Sequence, residues 1–343
     1  GVGFYMFLER LEKKRIGLFA MDIYARRLLW LFIIGVCHAY FIWNGDVLYH
    51  YAICGLLLFP FRSLGNKALL YSILILTLIQ VNKSWLKTSQ RQNSYSNYLE
   101  AKDLPESERT ELGNKRVNYW NAFLEQKKPS EEVVEVPKET YLKGLKETYL
   151  KANVHKGMLY YQGFLFPTLM AMIIGIFLYR SGIFIDHGTW KYYWIITLSL
   201  LTIGLILNYF RYYHWTYTYF QPVLSFWKDL AFTFHKQILG IAYVLLLNGV
   251  YQKFLSRKRG IISAIGKTAL SNYILQNVLL GLIFYGYGLS RFNEYSRSEL
   301  LGIVGVFWII QLVASHIWLR RYTQGPLEWF WRKMTYKNFT TQI

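Results

Sequence analysis

The sequence predicts an all-α, polytopic transmembrane helical bundle. Three observations carry that expectation: apolar runs of membrane-spanning length, a high aromatic content, and basic residues gathered beside the apolar runs. A helix needs ~20 mostly apolar residues to cross a ~30 Å hydrocarbon core. The 343 residues are 53% hydrophobic and 19% aromatic, well away from the composition of an average soluble domain. Lys and Arg number 39 against 20 Asp and Glu. The polar stretch from Lys83 to Lys156 holds 14 of the basic and 11 of the acidic residues. The other 25 basic residues stand against only 9 acids and flank apolar segments. That is the pattern of an oriented membrane protein, and it argues against a nucleic-acid-binding patch.

The elements follow in order. Gly1 to Leu8 reads as the last turns of an apolar helix, and Glu9 to Arg15 is a charged run. With no starting Met and no signal-peptide layout, the reading expects further helices upstream. Eight spans are then predicted, at about 28–43, 47–63, 66–82, 158–179, 192–210, 229–251, 268–288 and 300–319. The first two are short and joined by Asn44-Gly45-Asp46, a tight-turn signal that predicts a helical hairpin.

The stretch 83–157 is charged and carries Pro105, Pro129 and Pro137. Within it Lys138-Glu-Thr-Tyr-Leu-Lys143 recurs as Lys146-Glu-Thr-Tyr-Leu-Lys151. Glu139/Lys143 and Glu147/Lys151 stand at i,i+4 in the favourable order, which predicts a solvated helix over 138–156. Gly325-Pro326 opens a last helix in which Trp329, Phe330 and Trp331 sit beside Arg332 and Lys333, a composition suited to the membrane interface. The expected organisation is 1–82 with the hairpin, 83–157 as an external charged and largely helical segment, 158–324 as a C-terminal bundle, and 325–343 as an interfacial helix and tail.

Short-loop charges predict the orientation. With Arg10 to Arg27 in the cytoplasm, alternation assigns 20 of the 25 basic residues to the inner side. Only Arg211, Lys228, Lys236, Arg291 and Arg297 fall outside, so the C-terminus is expected in the cytoplasm and 83–157 outside.

Ionisable and amide groups within apolar helices are candidates for function, because a bilayer offers them no water. His38, Asp46 and His50 form the first cluster. Asp46 and His50 at i,i+4 can hydrogen-bond along one helical face, and a carboxylate there would orient an imidazole as a general base. His38 lies eight residues from Asp46, ~12 Å along a continuous helix, and meets it only if the chain turns back at Asn44-Gly45. The plain alternatives are that Asp46 caps the second helix and that His38 is a satisfied core histidine. Ser271, Asn272, Tyr273, Gln276 and Asn277 form the second cluster, with Gln311, Ser315 and His316 on the next helix. They read as interhelical hydrogen bonding or as the lining of a polar cavity. Cys37 and Cys54 fall in apolar runs and read as small buried hydrophobes. No metal-ligand spacing, Walker loop, dinucleotide fingerprint, HExxH or GxSxG is present.

Two stretches together resemble a known family. The first is Arg26-Arg27-Leu-Leu-Trp-Leu-Phe-Ile-Ile-Gly35-Val-Cys-His38-Ala with Trp43-Asn-Gly-Asp46-Val-Leu-Tyr-His-Tyr51-Ala-Ile-Cys-Gly55. The second is Gly266-Lys-Thr-Ala-Leu-Ser-Asn272-Tyr273-Ile-Leu-Gln276, followed by Gln311, Ser315, Trp318-Leu-Arg-Arg and Gly325-Pro326-Leu-Glu328-Trp329. They are similar to the YeiB-like bacterial membrane proteins, a domain of unknown function. The resemblance implies a bacterial inner-membrane location and additional upstream helices with an aspartate–arginine motif. It also implies a distant relation to membrane acyltransferases that move acetyl groups onto sugars.

Three functional readings stay open on the sequence. The first is an acyltransferase-like enzyme, with His38, Asp46 and His50 in catalysis and Trp43, Tyr51, Asn272, Tyr273, Gln276, Gln311 and Ser315 against substrate. Its donor would be acetyl-CoA or another acyl-CoA on the cytoplasmic side, and its acceptor an external sugar or lipid-linked glycan. The second is a transporter or flippase, against which no inverted repeat is visible. The third is a scaffold that docks a partner through 83–157. The expected partners are the bilayer and a small or lipid-linked substrate, not nucleic acid. Oligomeric state is not legible in the sequence.

Overall fold

A computed structural model describes residues 1–14, 18–126, 128, 138–155, 158–218, 221, 223–255 and 260–337. Arg15, Pro129, Pro137 and the basic run Arg257 to Arg259 lie outside the described residues. Among the described residues the chain is all-helical. The helices are α1 Val2–Lys14, α2 Leu18–Phe41, α3 Leu48–Leu57, α4 Asn66–Asp103, α5 Glu111–Glu125, α6 Tyr141–His155, α7 Met158–Arg180, α8 Tyr193–Tyr217, α9 Phe226–Val250, α10 Gly260–Lys267, α11 Ala269–Phe284, α12 Arg297–Leu319 and α13 Pro326–Tyr336.

Five stretches are long and apolar enough to cross a bilayer: α4, Gly163–Arg180 of α7, α8, Phe226–Leu255 and α12. This is a multi-pass membrane protein. α2 has the length, at 24 residues, but it carries Asp22, Arg26, Arg27 and His38. α3 and α11 are apolar but have only 10 and 16 residues. They supply ~15 Å and ~24 Å of axis, short of the ~30 Å core. Of the eight predicted spans, five have the length and apolarity of a crossing among the described residues, one falls in the charged α2 and two fall in shorter apolar helices. The reasons are local. After α3 the chain tightens into a 3-10 turn, Phe59–Arg62, around Pro60. After α11 it doubles back, with Ser290 and Asn293 at φ 58° and 64°.

The chain divides into two compact units. The first comprises Gly1–Gly65, Glu132–Ile176 and Phe254–Ile343. Its spine is α2, which packs on α1, α3, α6 and α13. Gly35 makes the α2–α3 approach possible. A Cβ there would stand 2.3 Å from the Tyr49 backbone nitrogen and 3.0 Å from Asp46 Oδ2. Gly35→Ala is expected to force the hairpin apart and to destabilise the protein by about 1–3 kcal/mol, the usual range for overpacking. Thermal unfolding followed by intrinsic tryptophan fluorescence checks this, and an unchanged melting temperature would refute it.

The repeat forms a helix, α6, but not a fully solvated one. Gly144 is buried, the Tyr141 hydroxyl donates to the Phe41 carbonyl at 2.5 Å, and the Tyr40 and Tyr149 rings lie 5.3 Å apart. Charge spacing reports the exposed face of such a helix and misses a tyrosine face that docks. α13 begins on Pro326, as the sequence predicts. It is held by Trp331 Nε1 donating to the Arg27 carbonyl at 2.8 Å, with the Arg27 guanidinium 3.9 Å above the Trp331 ring. Cys54 is buried, but Cys37 is exposed. Cys37 shares the outward face of α2 with Leu29 and Ile33 at i+4 steps, both also exposed.

The second unit comprises Asn66–Glu131 and Phe177–Lys253. α4 has 38 residues, ~57 Å of axis, so it runs well beyond a ~30 Å core. On its far half Tyr98, Ala101, Val117 and Trp120 form a small core with α5. α5 is started by Thr110, whose hydroxyl accepts from the Gly113 N–H at 3.1 Å. Gly182, at φ +78°, ends α7 where a side chain would strain. α8 and α9 pack together, and Asn248 and Gln252 both donate to the Ile183 carbonyl at 2.9 Å.

Candidate functional site

The site is assembled in the first unit. α2 ends at Phe41, and the turn at Asn44-Gly45 reverses the chain so that Asp46 reaches back to His38. His38 Nδ1 and Asp46 Oδ1 are 2.8 Å apart, and both side chains are fully buried. A carboxylate only accepts at this contact, so Nδ1 carries the proton; in the neutral form of the ring the lone pair then sits on Nε2. Nε2 is buried and has no hydrogen-bond partner among the described residues. Buried nitrogens are seldom left so.

Asp46 is saturated. Its Oδ2 accepts from the backbone N–H of Leu48 at 2.8 Å and of Tyr49 at 3.2 Å, which caps the start of α3. Its Oδ1 also accepts from the Tyr273 hydroxyl at 3.2 Å. The capping and pairing roles, alternatives on the sequence, are held by one side chain. Four donors on one carboxylate offset the cost of burying its charge.

Tyr273 is positioned by the head of α11. Glu328 of α13 accepts from the Leu270 and Ser271 N–H groups at 2.6 and 3.1 Å and from the Ser271 hydroxyl. The Ser271 hydroxyl in turn accepts from the Leu327 N–H at 3.1 Å. These bonds supply the orphan donors of the first helical turn. One turn on, Ser315 accepts from the Thr268 hydroxyl at 2.8 Å and from Asn272 Nδ2 at 2.9 Å. Gln311 donates to the Asn272 carbonyl at 3.1 Å and to Gln276 Oε1 at 3.4 Å.

Beside this lies a cavity of about 620 Å³. Trp43, Tyr273, Gln276 and Asn277 line one part, Gly281, Phe284 and Tyr285 another, and the loop residues Arg291, Asn293 and Tyr295 close it. Its walls are mainly aromatic, with three amides. Its single cation, Arg291, is paired with Glu294 at 2.5 Å, and that carboxylate holds the guanidinium pKa above its usual value. Tyr273 therefore touches both the cavity and the His38–Asp46 pair, its ring centroid 5.2 Å from that of His38. No group of three His, Cys, Asp or Glu among the described residues is placed to hold a metal ion.

The structure brings His38, Asp46 and Tyr273 together and puts Trp43 and Gln276 in the adjoining cavity. Asn272, Gln311 and Ser315 join in the network behind Tyr273. His50 does not pair with Asp46 along the helix. Its Nε2 meets the Thr168 hydroxyl at 3.0 Å, because the Asp46 oxygens are taken up at the turn. Tyr51 is 45% exposed and is not part of the cavity lining. Sequence reasoning did not name Thr168, Thr268, Glu328 or the loop from Tyr285 to Tyr295 as site residues. Thr268 and Glu328 stood in the stretches that carry the resemblance, and the loop showed an aromatic-rich Gly-Tyr-Gly stretch followed by Arg-Phe-Asn.

Comparison with known proteins finds relatives of the chain. Residues 178–338 match the family described as protein of unknown function (DUF418). The chain is 33% identical over 171 residues to the uncharacterized protein YeiB of Escherichia coli, 48% of this chain and 43% of that protein. Over its C-terminal half the chain is similar to the DUF418 family and to YeiB. It is also 25% identical over 98% of its length to the uncharacterized protein YxaH of Bacillus subtilis, spanning 77% of that protein. A 39.9 kDa protein of Bacillus acidopullulyticus is 34% identical over 107 residues, 29% of this chain and 30% of that one. No solved structure matches. The DUF418 match takes in Tyr273, the amide network and Glu328. The similarity to YxaH takes in the His38–Asp46 hairpin as well.

Proposed function

We propose that this protein is a membrane acyltransferase-like enzyme. It moves an acyl group from a cytoplasmic donor, acetyl-CoA or another acyl-CoA, to an external sugar or lipid-linked acceptor. The observation that carries the reading is the buried His38–Asp46 pair with an unpartnered Nε2. A carboxylate on Nδ1 fixes the tautomer and leaves Nε2 as a base. In the proposed reaction Nε2 takes the proton of an acceptor hydroxyl as that oxygen attacks the thioester carbonyl. A C–O bond forms, the C–S bond breaks, and the departing thiolate recovers the proton from His38, which restores the neutral ring. Asp46 stays ionised throughout. The aromatic and amide cavity beside Tyr273, its one lining cation paired with Glu294, supports an uncharged acceptor.

The charge distribution supports a bacterial inner-membrane protein with a cytoplasmic C-terminus and 83–157 outside. The test uses the full chain in nanodiscs with radiolabelled acetyl-CoA and a panel of sugars and lipid-linked glycans. Transfer of label to one acceptor, with one free thiol released per ester formed, is the expected result. A folded protein that neither binds acetyl-CoA saturably nor labels any acceptor would remove the reading. Accumulation of an unaltered sugar by proteoliposomes would put transport in its place.

A further inference from the structure

Among the described residues, the second unit carries a cluster of cations outside every ion pair, at one end of the α8–α9 hairpin. Between His187 and Asn293 the only acidic residue is Asp229. Its Oδ2 is turned to α4, where it accepts from Ser84 at 2.7 Å and Thr88 at 2.9 Å. None of the ion pairs among the described residues involves Arg211, Lys228 or Lys236.

The cations are arranged, not scattered. Arg211 Nη1 lies 3.0 Å from His235 Nε2, and His235 Nδ1 contacts the Phe232 carbonyl. Arginine and carbonyl each allow one role, so this imidazole is neutral, donating from Nδ1 and accepting at Nε2. A buried, uncharged ring thus holds a guanidinium in place and leaves its other N–H groups available. Lys228, Phe232 and Lys236 follow at i, i+4 and i+8 on one face of α9. His214 of α8 packs its ring over Phe232, centroids 6.2 Å apart. Lys228 lies within electrostatic reach of His214, and Lys236 within reach of His235. Three cations at one end of a hairpin, outside every ion pair among the described residues, suit an anion.

The depth of the cluster follows from the helices. The apolar run of α8 ends at Phe210, and that of the antiparallel α9 begins after Lys236. Each runs for about 18 residues away from the cluster, ~27 Å of axis, close to a ~30 Å core. The Arg211–His235 contact therefore marks the hydrocarbon edge. Trp215, Tyr217 and Trp227, all exposed, stand beyond it at the level where interfacial aromatics collect.

We propose that this end of the α8–α9 hairpin is a binding site for the phosphate of an anionic membrane lipid. Arg211 supplies a directed fork of donors, and Lys228 and Lys236 supply charge from either side. The site is separate from the acyl-transfer reading and stands whether or not that reading does. The test titrates the full chain in neutral detergent with phosphatidylglycerol carrying brominated chains and follows tryptophan quenching. Lys228→Gln/Lys236→Gln, at two exposed positions, should weaken binding about thirty-fold, from roughly a factor of five for each cation near the surface. Arg211→Gln should weaken it about five-fold or more. The control Arg180→Gln/Lys191→Gln, toward the opposite end of α8, should leave it unchanged.

Equal loss in the control, or equal binding of brominated phosphatidylcholine, would overturn the proposal. Displacement of the lipid by millimolar inorganic phosphate would also overturn it, and would give the site to a soluble anion.

Discussion

His38→Ala is expected to lower the rate of acyl transfer by roughly a hundred- to ten-thousand-fold, the usual contribution of a positioned general base. The loss should fall on kcat with little change in KM, because a general base acts in the transition state and adds little to ground-state binding. Asp46 retains its bonds to Leu48, Tyr49 and Tyr273 in this variant, so α3 should stay capped. His38→Gln is the companion variant. Its amide can donate to Asp46 and fill the space, yet it cannot take a proton. Both variants should therefore lose the rate together. A rate within about three-fold of the parent in either would remove His38 from the chemistry.

Asp46 separates two roles that one side chain performs. Asp46→Asn should lower kcat about a hundred-fold or more, because an amide cannot stabilise the imidazolium that forms. It should melt near the parent temperature, since an amide oxygen still accepts from Leu48 and Tyr49 at the head of α3. Asp46→Ala should lose a similar share of the rate and also unfold more readily. The cap is worth about 1 kcal/mol, and a buried Nδ1–H left without an acceptor costs about 1–3 kcal/mol more. Thermal scans and single-turnover assays on both variants check the split. Equal stability of the Asn and Ala variants would show that the capping bonds contribute nothing.

The helical hairpin, the Pro-initiated last helix and the meeting of His38 with Asp46 were all legible in the sequence, because each depends on residues within a few turns of one another. Asn44-Gly45 announced the reversal, and Pro326 announced a helix start. What was not legible depends on partners far away in the sequence. Tyr273 lies 227 residues from Asp46, and Glu328 lies 57 from the Ser271 it holds. No local pattern tells a carboxylate at a helix head that it will serve a different helix. Asp46 and His50 show the converse. Their spacing fits a helical pair, but Asp46 stands just before α3 begins and spends its oxygens on the turn. The length of α11 was overestimated for a related reason. Its apolar run continues past Phe284, and hydropathy is blind to the doubling back through Gly286 and Gly288.

The brevity of α3 and α11 has a further consequence. Asp46 sits at the head of one and Tyr273 on the other, so the site is framed by the two helices least able to match the lipid around them. Lipid that reaches these helices must compress toward their length, at a cost of fractions of a kcal/mol per Å of mismatch. That strain grows with acyl-chain length and relaxes in thinner bilayers. Wherever lipid meets these helices, hydrophobic thickness becomes an input to the site alongside its side chains. A cell that lengthens or shortens its lipid chains would retune this protein without altering a residue of it.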